Sequence, residues 1–240
     1  AEAISSSWRA IAEIDAAPFH TVLLIGIGGS ALGPALAIDA LSQQDARRFL
    51  LLDTVDPHAI TDMLTQLTLR QTLVIVASKS GTTQETMTAT NMVEAWYSAA
   101  GLVFADHAIA IAEPGSPLAA RAASWRAQLP IWNWVGGRTS ITSSVGLTPM
   151  HLCGIDIDAF LQGAREMDAW TRSPHAENPA AQLAALWAAE HHHTATILPY
   201  CDRLRSLGRY LQQLVMESLG KSKDRGGITR NFGLAVFGNK

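Results

Sequence analysis

Five short runs along the chain are dominated by apolar residues and end in residues that stop a strand. They are Thr21–Ile25, Phe49–Leu52, Leu73–Ala77, His107–Ala112 and Leu129–Trp134. Between them lie segments whose apolar residues recur at three- and four-residue spacing, over 31–41, 59–69, 82–99 and 116–123. Near-continuous apolar runs mean strands buried on both faces, and the intervening amphipathic segments mean helices laid over those faces. This alternation predicts βαβ units with right-handed crossovers, and hence an α/β fold: a three-layer αβα sandwich around a five-stranded parallel sheet. A leading helix is expected over 6–17, and helical spacing over 143–170 breaks near Gly154-Ile155-Asp156.

The polar stretch 173–178, with Pro174 inside it and Pro179 after it, reads as a linker. It predicts a first domain over 1–172 and the start of a second over 173–240. In that second part a helix is expected over 180–190, a strand over 194–198, a helix over 204–219 with Gly220 as its C-cap, and a strand over 234–237.

In parallel sheets of this kind ligands sit at the carboxyl ends of the strands. After the third strand comes Ser78-Lys79-Ser80-Gly81-Thr82-Thr83-Gln84-Glu85-Thr86, which opens a helix. Hydroxyls supply directed donors without bulk, and a helix start presents free N–H groups and a favourable dipole to an anion. A helix cap needs one such residue; five hydroxyls with a Gly and a Lys point to phosphate. After the first strand comes Gly26-Ile27-Gly28-Gly29-Ser30. Gly26-x-Gly28-x-x-Ala31, with Asp53 ending the second strand, also fits a dinucleotide fingerprint and keeps an NAD-dependent dehydrogenase in play. A dinucleotide site gives no reason for a hydroxyl-rich loop on the third strand. Two such loops on one rim suit a small sugar phosphate.

Two further stretches carry candidate chemistry. Val135-Gly136-Gly137-Arg138-Thr139-Ser140 puts an arginine beside two glycines at a strand end. Arg138 is either solvated or placed to offset negative charge developing on a substrate oxygen. On the helix over 204–219, Gln213 and Glu217 are one turn apart and near the apolar stripe. A carboxylate partly withdrawn from water there has the setting of a general base; alternatively Glu217 forms a surface ion pair with Lys221.

Composition narrows the field. The 240 residues are 48% hydrophobic and 16% charged, enough for a substantial core. A net charge of −3 argues against nucleic acid as the main partner. No apolar run approaches the ~20 residues that span a bilayer, and no targeting segment is visible. Cys153 and Cys201 lie far apart, with no pattern for a disulfide framework or zinc, and fit two reduced thiols. Three adjacent histidines, His191-His192-His193, lack the spacing of a metal site. Trp132 and Trp134 alternate as packing residues of the fifth strand.

Together these stretches resemble the glucose-6-phosphate isomerase family: Ile25 through Pro34, Ser78 through Thr86, Gly136 through Ser140 with Ser144-Val145-Gly146-Leu147, and Gln213 through Lys221. The motifs have a bacterial, even cyanobacterial, form, and they cover nearly the whole chain in the family's order. The resemblance implies two sugar-isomerase (SIS) domains, no metal or organic cofactor, a hexose 6-phosphate substrate, a cytoplasmic location and a homodimeric parent. It implies that Ser78, Ser80, Thr82 and Thr83 hold the phosphate, with Lys79 acting mostly through its backbone, and that Gly29 and Ser30 line the sugar pocket. It further implies that Gln213 positions the substrate, Arg138 stabilises a cis-enediolate, and Glu217 moves the proton between C2 and C1. The family's ring-opening histidine and lysine come later in the chain, yet no His follows His193 here. The expectation is therefore a front portion of such an enzyme, inactive or nearly so by itself. A non-catalytic SIS module that senses sugar phosphates is the alternative; it would share the Ser/Thr loop and have no reason to carry Gln213 and Glu217.

Overall fold

The computed structural model describes residues 9–43, 45–174, 176–189, 194–232 and 234–238. They fall into two compact units, one up to Ile155 and one from Asp156 on.

The first unit is built on β1 (Thr21–Ile25), β2 (Arg48–Leu52), β3 (Thr72–Ala77), β4 (Ala108–Ala112) and β5 (Ala127–Pro130), all parallel, in the order β2-β1-β3-β4-β5. β3 and β4 are buried at every position, and β1 at all but its first. Their apolar runs are therefore continuous rather than alternating. The helices are α1 (Gly29–Leu41), α2 (Pro57–Thr65), α3 (Gln84–Ala99), the short α4 (Pro117–Arg121) and α5 (Ser144–Leu152). Leu23, Ile25, Val74 and Val76 on one face of the sheet share a cluster with Ile60 and Leu64 of α2 and with Ala89, Val93 and Tyr97 of α3. The alternate residues Leu24, Ile75 and Ile109 point to the other face. There α1 and α5 pack against each other, and α5 against β1. This is the expected αβα sandwich.

Several local expectations shift. β5 ends at Pro130, whereas the apolar pattern carried it to Trp134. Its last bond, from the Ile131 N–H to the Ala112 carbonyl at 3.0 Å, comes where β4 itself stops, so the tryptophans have no strand to pair with. Trp134 is exposed and Trp132 half-buried in the turn that follows. A 3-10 turn over Gly137–Thr142 then leads into α5, with Ser143 as N-cap. Of the leading helix, the described part is a single turn over 9–12.

The second unit contains α6 (Ile157–Thr171), α7 (Pro179–Ala189), α8 (Leu207–Leu219) and a parallel pair, β6 (Thr194–Ile197) with β9 (Ala235–Gly238). The expected break before α6 is present, capped by the Asp156 carboxylate accepting from the Ala159 N–H at 2.9 Å. Between α8 and β9 lies an unexpected hairpin of β7 (Lys221–Lys223) and β8 (Thr229–Phe232). Its turn is held by the Asp224 carboxylate, which accepts from the N–H groups of Gly226 at 2.9 Å and Ile228 at 3.0 Å.

Candidate functional site

The strand order 2-1-3-4-5 decides where a ligand goes. It reverses direction between β1 and β3, and the crevice above such a switch point is the ligand site of doubly wound sheets. The loops at that point are the two hydroxyl- and glycine-rich ones. Ile25 of β1 pairs with Val76 of β3, so Gly26–Ser30 and Ser78–Thr83 leave the sheet side by side. A cleft of about 290 Å³ opens there, lined by Gly29, Ser30, Ser78, Lys79, Ser80 and Thr83. The dinucleotide-type order 3-2-1-4-5-6 is not the one found.

The loop after β3 is not a helix cap. Thr83 occupies the N-cap position of α3, but its side chain makes no capping hydrogen bond. Instead the Ser78 hydroxyl donates to Thr83 Oγ1 at 3.1 Å. Ser80 Oγ accepts from the Thr82 N–H at 3.2 Å and from the Thr82 hydroxyl at 2.9 Å. The loop therefore folds on its own hydroxyls, and the start of the helix is not covered by a cap. Gly81 makes the bend: its φ is +66°, and a Cβ there would come within 2.5 Å of the Leu118 backbone nitrogen, so no other residue fits without displacing α4. Ser78 is buried, while Ser80 and Thr82 are exposed to solvent.

A third loop closes the site. A Cβ on Gly29 would lie 2.1 Å from the Gly137 carbonyl oxygen, so the Gly-Gly-Ser turn and the Gly-Gly-Arg turn touch backbone to backbone. The Ser140 hydroxyl reaches the carbonyls of Gly29 at 3.1 Å and Gly137 at 2.7 Å. Lys79 binds the same loop: its Nζ donates to the Asn133 carbonyl and, at 2.9 Å, to the Val135 carbonyl. The lysine thus acts as a strut between the loop after β3 and the segment leading to Arg138. Gly137 lines the cleft and carries Arg138 next in the chain.

Sequence reasoning missed Glu113 as a lining residue of the cleft; Ile27 and Thr86, which it placed within the two loops without giving either a role of its own, line it too. Glu113 directly follows β4, and its N–H bonds to the Lys79 carbonyl at 3.1 Å, so neighbourhood in the sheet puts it there. Strand-end position was the signal available. Thr82 belongs to the loop without lining the cleft. Gln213 and Glu217 lie in the second unit, on α8, at the expected one-turn spacing. Gln213 is half-buried, but Glu217 is exposed, contrary to the expectation of a partly withdrawn carboxylate. Lys221 Nζ donates to the Glu217 backbone carbonyl at 2.8 Å. His191, His192 and His193 lie outside the described residues, and no cluster of metal-binding side chains occurs among the described ones.

Fold and cleft together define an α/β protein with a cleft lined by hydroxyl and glycine residues at the switch point of its sheet. The phosphoglucose isomerase family model matches residues 1–240, and the chain belongs to that family. It is 50% identical over 232 residues to a glucose-6-phosphate isomerase of Synechococcus sp. (strain JA-3-3Ab), covering 92% of this chain and 44% of the relative. To the enzyme of Citrifermentans bemidjiense it is 47% identical over 253 residues, covering all of this chain and 47% of the relative. The crystal structure of a glucose-6-phosphate isomerase from Chlamydia trachomatis superposes with a TM-score of 0.90 at 32% identity, covering 99% of this chain and 48% of that one. The chain spans about half the length of the curated relatives it matches.

Proposed function

We propose that this chain serves the reversible aldose–ketose isomerisation of glucose 6-phosphate and fructose 6-phosphate through a cis-enediolate. The observation that carries the reading is the cleft between the loops after β1 and β3, with its uncapped helix start and the Ser78, Ser80 and Thr83 hydroxyls on its wall. Ser78, Ser80, Thr82 and Thr83 hold the phosphate, and Gly29 and Ser30 let backbone approach the sugar. Arg138 offsets the enediolate charge, Gln213 positions the substrate, and Glu217 carries the proton between C2 and C1. An α-carbonyl proton is weakly acidic unless the oxyanion beside it is stabilised, which is why base and cation are needed together. The reaction calls for no metal or organic cofactor. Part of the same proposal are a first SIS domain over 1–172 and the start of a second over 173–240, a cytoplasmic location and a homodimeric parent. Among the described residues no helix is long and apolar enough to cross a membrane.

Calorimetric titration of the 240-residue chain tests the binding part. Glucose 6-phosphate is expected to bind and unphosphorylated glucose not to. Ser80→Ala with Thr82→Ala is expected to weaken binding at least about tenfold, as lost hydrogen bonds to a charged group do. Equal response to both sugars would sink the reading, and so would saturable NAD binding that the sugar phosphate does not displace. By itself the chain is expected to show little or no turnover in a coupled assay. In any length of the protein that does turn over, Glu217→Gln is expected to lower the rate by about 10²–10⁴. An unchanged rate would leave a sugar-phosphate sensor as the better reading.

A further inference from the structure

Glu113 is a carboxylate in a cleft otherwise furnished for an anion. It lines the same space as Ser78, Ser80 and Thr83. A negative charge beside a phosphate site weakens binding of any phosphate unless the carboxylate is given something to accept. Among the described residues nothing meets it: no hydrogen bond or ion pair reaches its side chain, and the cation beside it on the cleft wall, Lys79, directs its ammonium to the carbonyls of Asn133 and Val135. Its backbone, by contrast, is fixed on both sides, through its N–H to the Lys79 carbonyl at 3.1 Å and its carbonyl to the Ser116 N–H at 3.0 Å. The half-buried side chain is thus an acceptor held on the cleft wall with its lone pairs unused.

We infer that Glu113 determines specificity: it repels bare inorganic phosphate and accepts hydrogen bonds from the hydroxyls of a phosphorylated sugar, so that the cleft selects polyhydroxylated phosphate esters. The inference rests on the sugar-phosphate reading above and deepens it. Inorganic phosphate satisfies the Ser/Thr loop as well as an ester does, so the loop alone cannot discriminate. Discrimination needs a group that penalises the smaller ligand and is compensated only by the larger one, and a carboxylate facing donor hydroxyls does both. A half-buried acceptor left unpaired in the phosphate complex adds to the penalty.

The test is a pair of titrations, glucose 6-phosphate and inorganic phosphate, on the 240-residue chain and on Glu113→Gln and Glu113→Asp. The amide keeps the size and one acceptor but removes the charge. Glu113→Gln is expected to bind inorganic phosphate about fivefold tighter and glucose 6-phosphate more weakly, so that the affinity ratio falls about tenfold or more. Glu113→Asp keeps the charge and shortens the reach. It is expected to reject inorganic phosphate as the parent does while losing affinity for the sugar phosphate. If the parent chain binds neither ligand, the sugar-phosphate reading fails and this inference with it. If the parent binds glucose 6-phosphate and Glu113→Gln leaves the ratio within twofold, the site reading stands and the role of Glu113 is overturned. Unchanged near-ultraviolet circular dichroism of both variants shows that the ratio reports on the cleft.

Discussion

At the scale of single residues, Gly29 carries a sharp expectation. Its α-hydrogen faces the Gly137 carbonyl, where a Cβ would sit at 2.1 Å from the oxygen and 2.2 Å from the carbon. Both groups are backbone, so neither can rotate away. Gly29→Ala is expected to cost about 2–3 kcal/mol of stability, the upper end for overpacking. It is also expected to separate the two turns that form the cleft and so to abolish glucose 6-phosphate binding. Retained affinity with an unchanged melting temperature would show that the loops give way easily. The two cysteines make a second residue-scale case. Burial pushes the Cys153 thiol up to about 11, while Cys201 is exposed. Thiolate, not thiol, is the nucleophile. Ellman's reagent at pH 8 is therefore expected to titrate one thiol quickly in the native chain and two after denaturation, and Cys201→Ala is expected to abolish the fast phase. The same shift has a stability consequence. The native thiol stays protonated where the unfolded one, near 8.5, has ionised. The unfolded state then binds fewer protons, and this contribution falls as pH rises from about 8.5 towards 11.

At the scale of elements, α3 is fastened to the strand before it by one buried phenol. The Tyr97 hydroxyl donates to the carbonyls of Leu69 at 3.1 Å and Thr72 at 2.9 Å, and its ring sits edge-on to Phe104. Burial pushes its pKa well above the ordinary tyrosine value, so it remains a donor at any working pH. Tyr97→Phe is expected to cost about 1–2 kcal/mol, read as a lower denaturant midpoint at unchanged slope. A loss under half of that would mean the two carbonyls find other donors. The elements also show what a sequence can and cannot announce. β1, β3 and β4 were legible because they are buried on both faces, which leaves continuous apolar runs. β5 was misjudged because its extent depends on where β4 stops, a non-local fact, while alternating Trp132 and Trp134 imitate a strand. The β7–β8 hairpin hid behind its charges, Lys221, Lys223, Asp224 and Arg225, although Asp224-Arg225-Gly226-Gly227 is a turn signal. For the site, the hydroxyl loop and the Gly-Gly-Ser turn were readable as local chemistry at strand ends. The Lys79 strut joins residues 54 and 56 positions apart, and Glu113 enters the cleft only through the neighbourhood of β4 with β3. The strut has no local signature, and Glu113 has only its place at a strand end.

For the molecule as a whole, the two units differ in how much they bury. In the first, β1, β3 and β4 supply a nearly unbroken set of fully buried aliphatics, covered by α2 and α3 on one side. In the second, the buried hydrophobic residues among those described are Ile157, Leu234 and Val236, while Trp170, Leu186, Leu198, Tyr200 and Phe237 are each more than half exposed. Burial of apolar surface is what offsets chain entropy, so a unit with so few buried side chains sits near the low end of local stability. Amide exchange followed by mass spectrometry is expected to show protection in β1, β3 and β4 set by global unfolding of the first unit. In α6 through β9 it is expected to be at least about 100-fold faster. A hydrophobic dye is expected to bind the native chain, through exposed apolar surface of the second unit. Addition of glucose 6-phosphate separates this stability difference from the cleft. Ligand bound between the loops after β1 and β3 raises protection in the first unit by mass action. Uniform exchange across both units, or protection of α8 equal to that of β3 without ligand, would mean that the second unit draws its stability from something other than its own core.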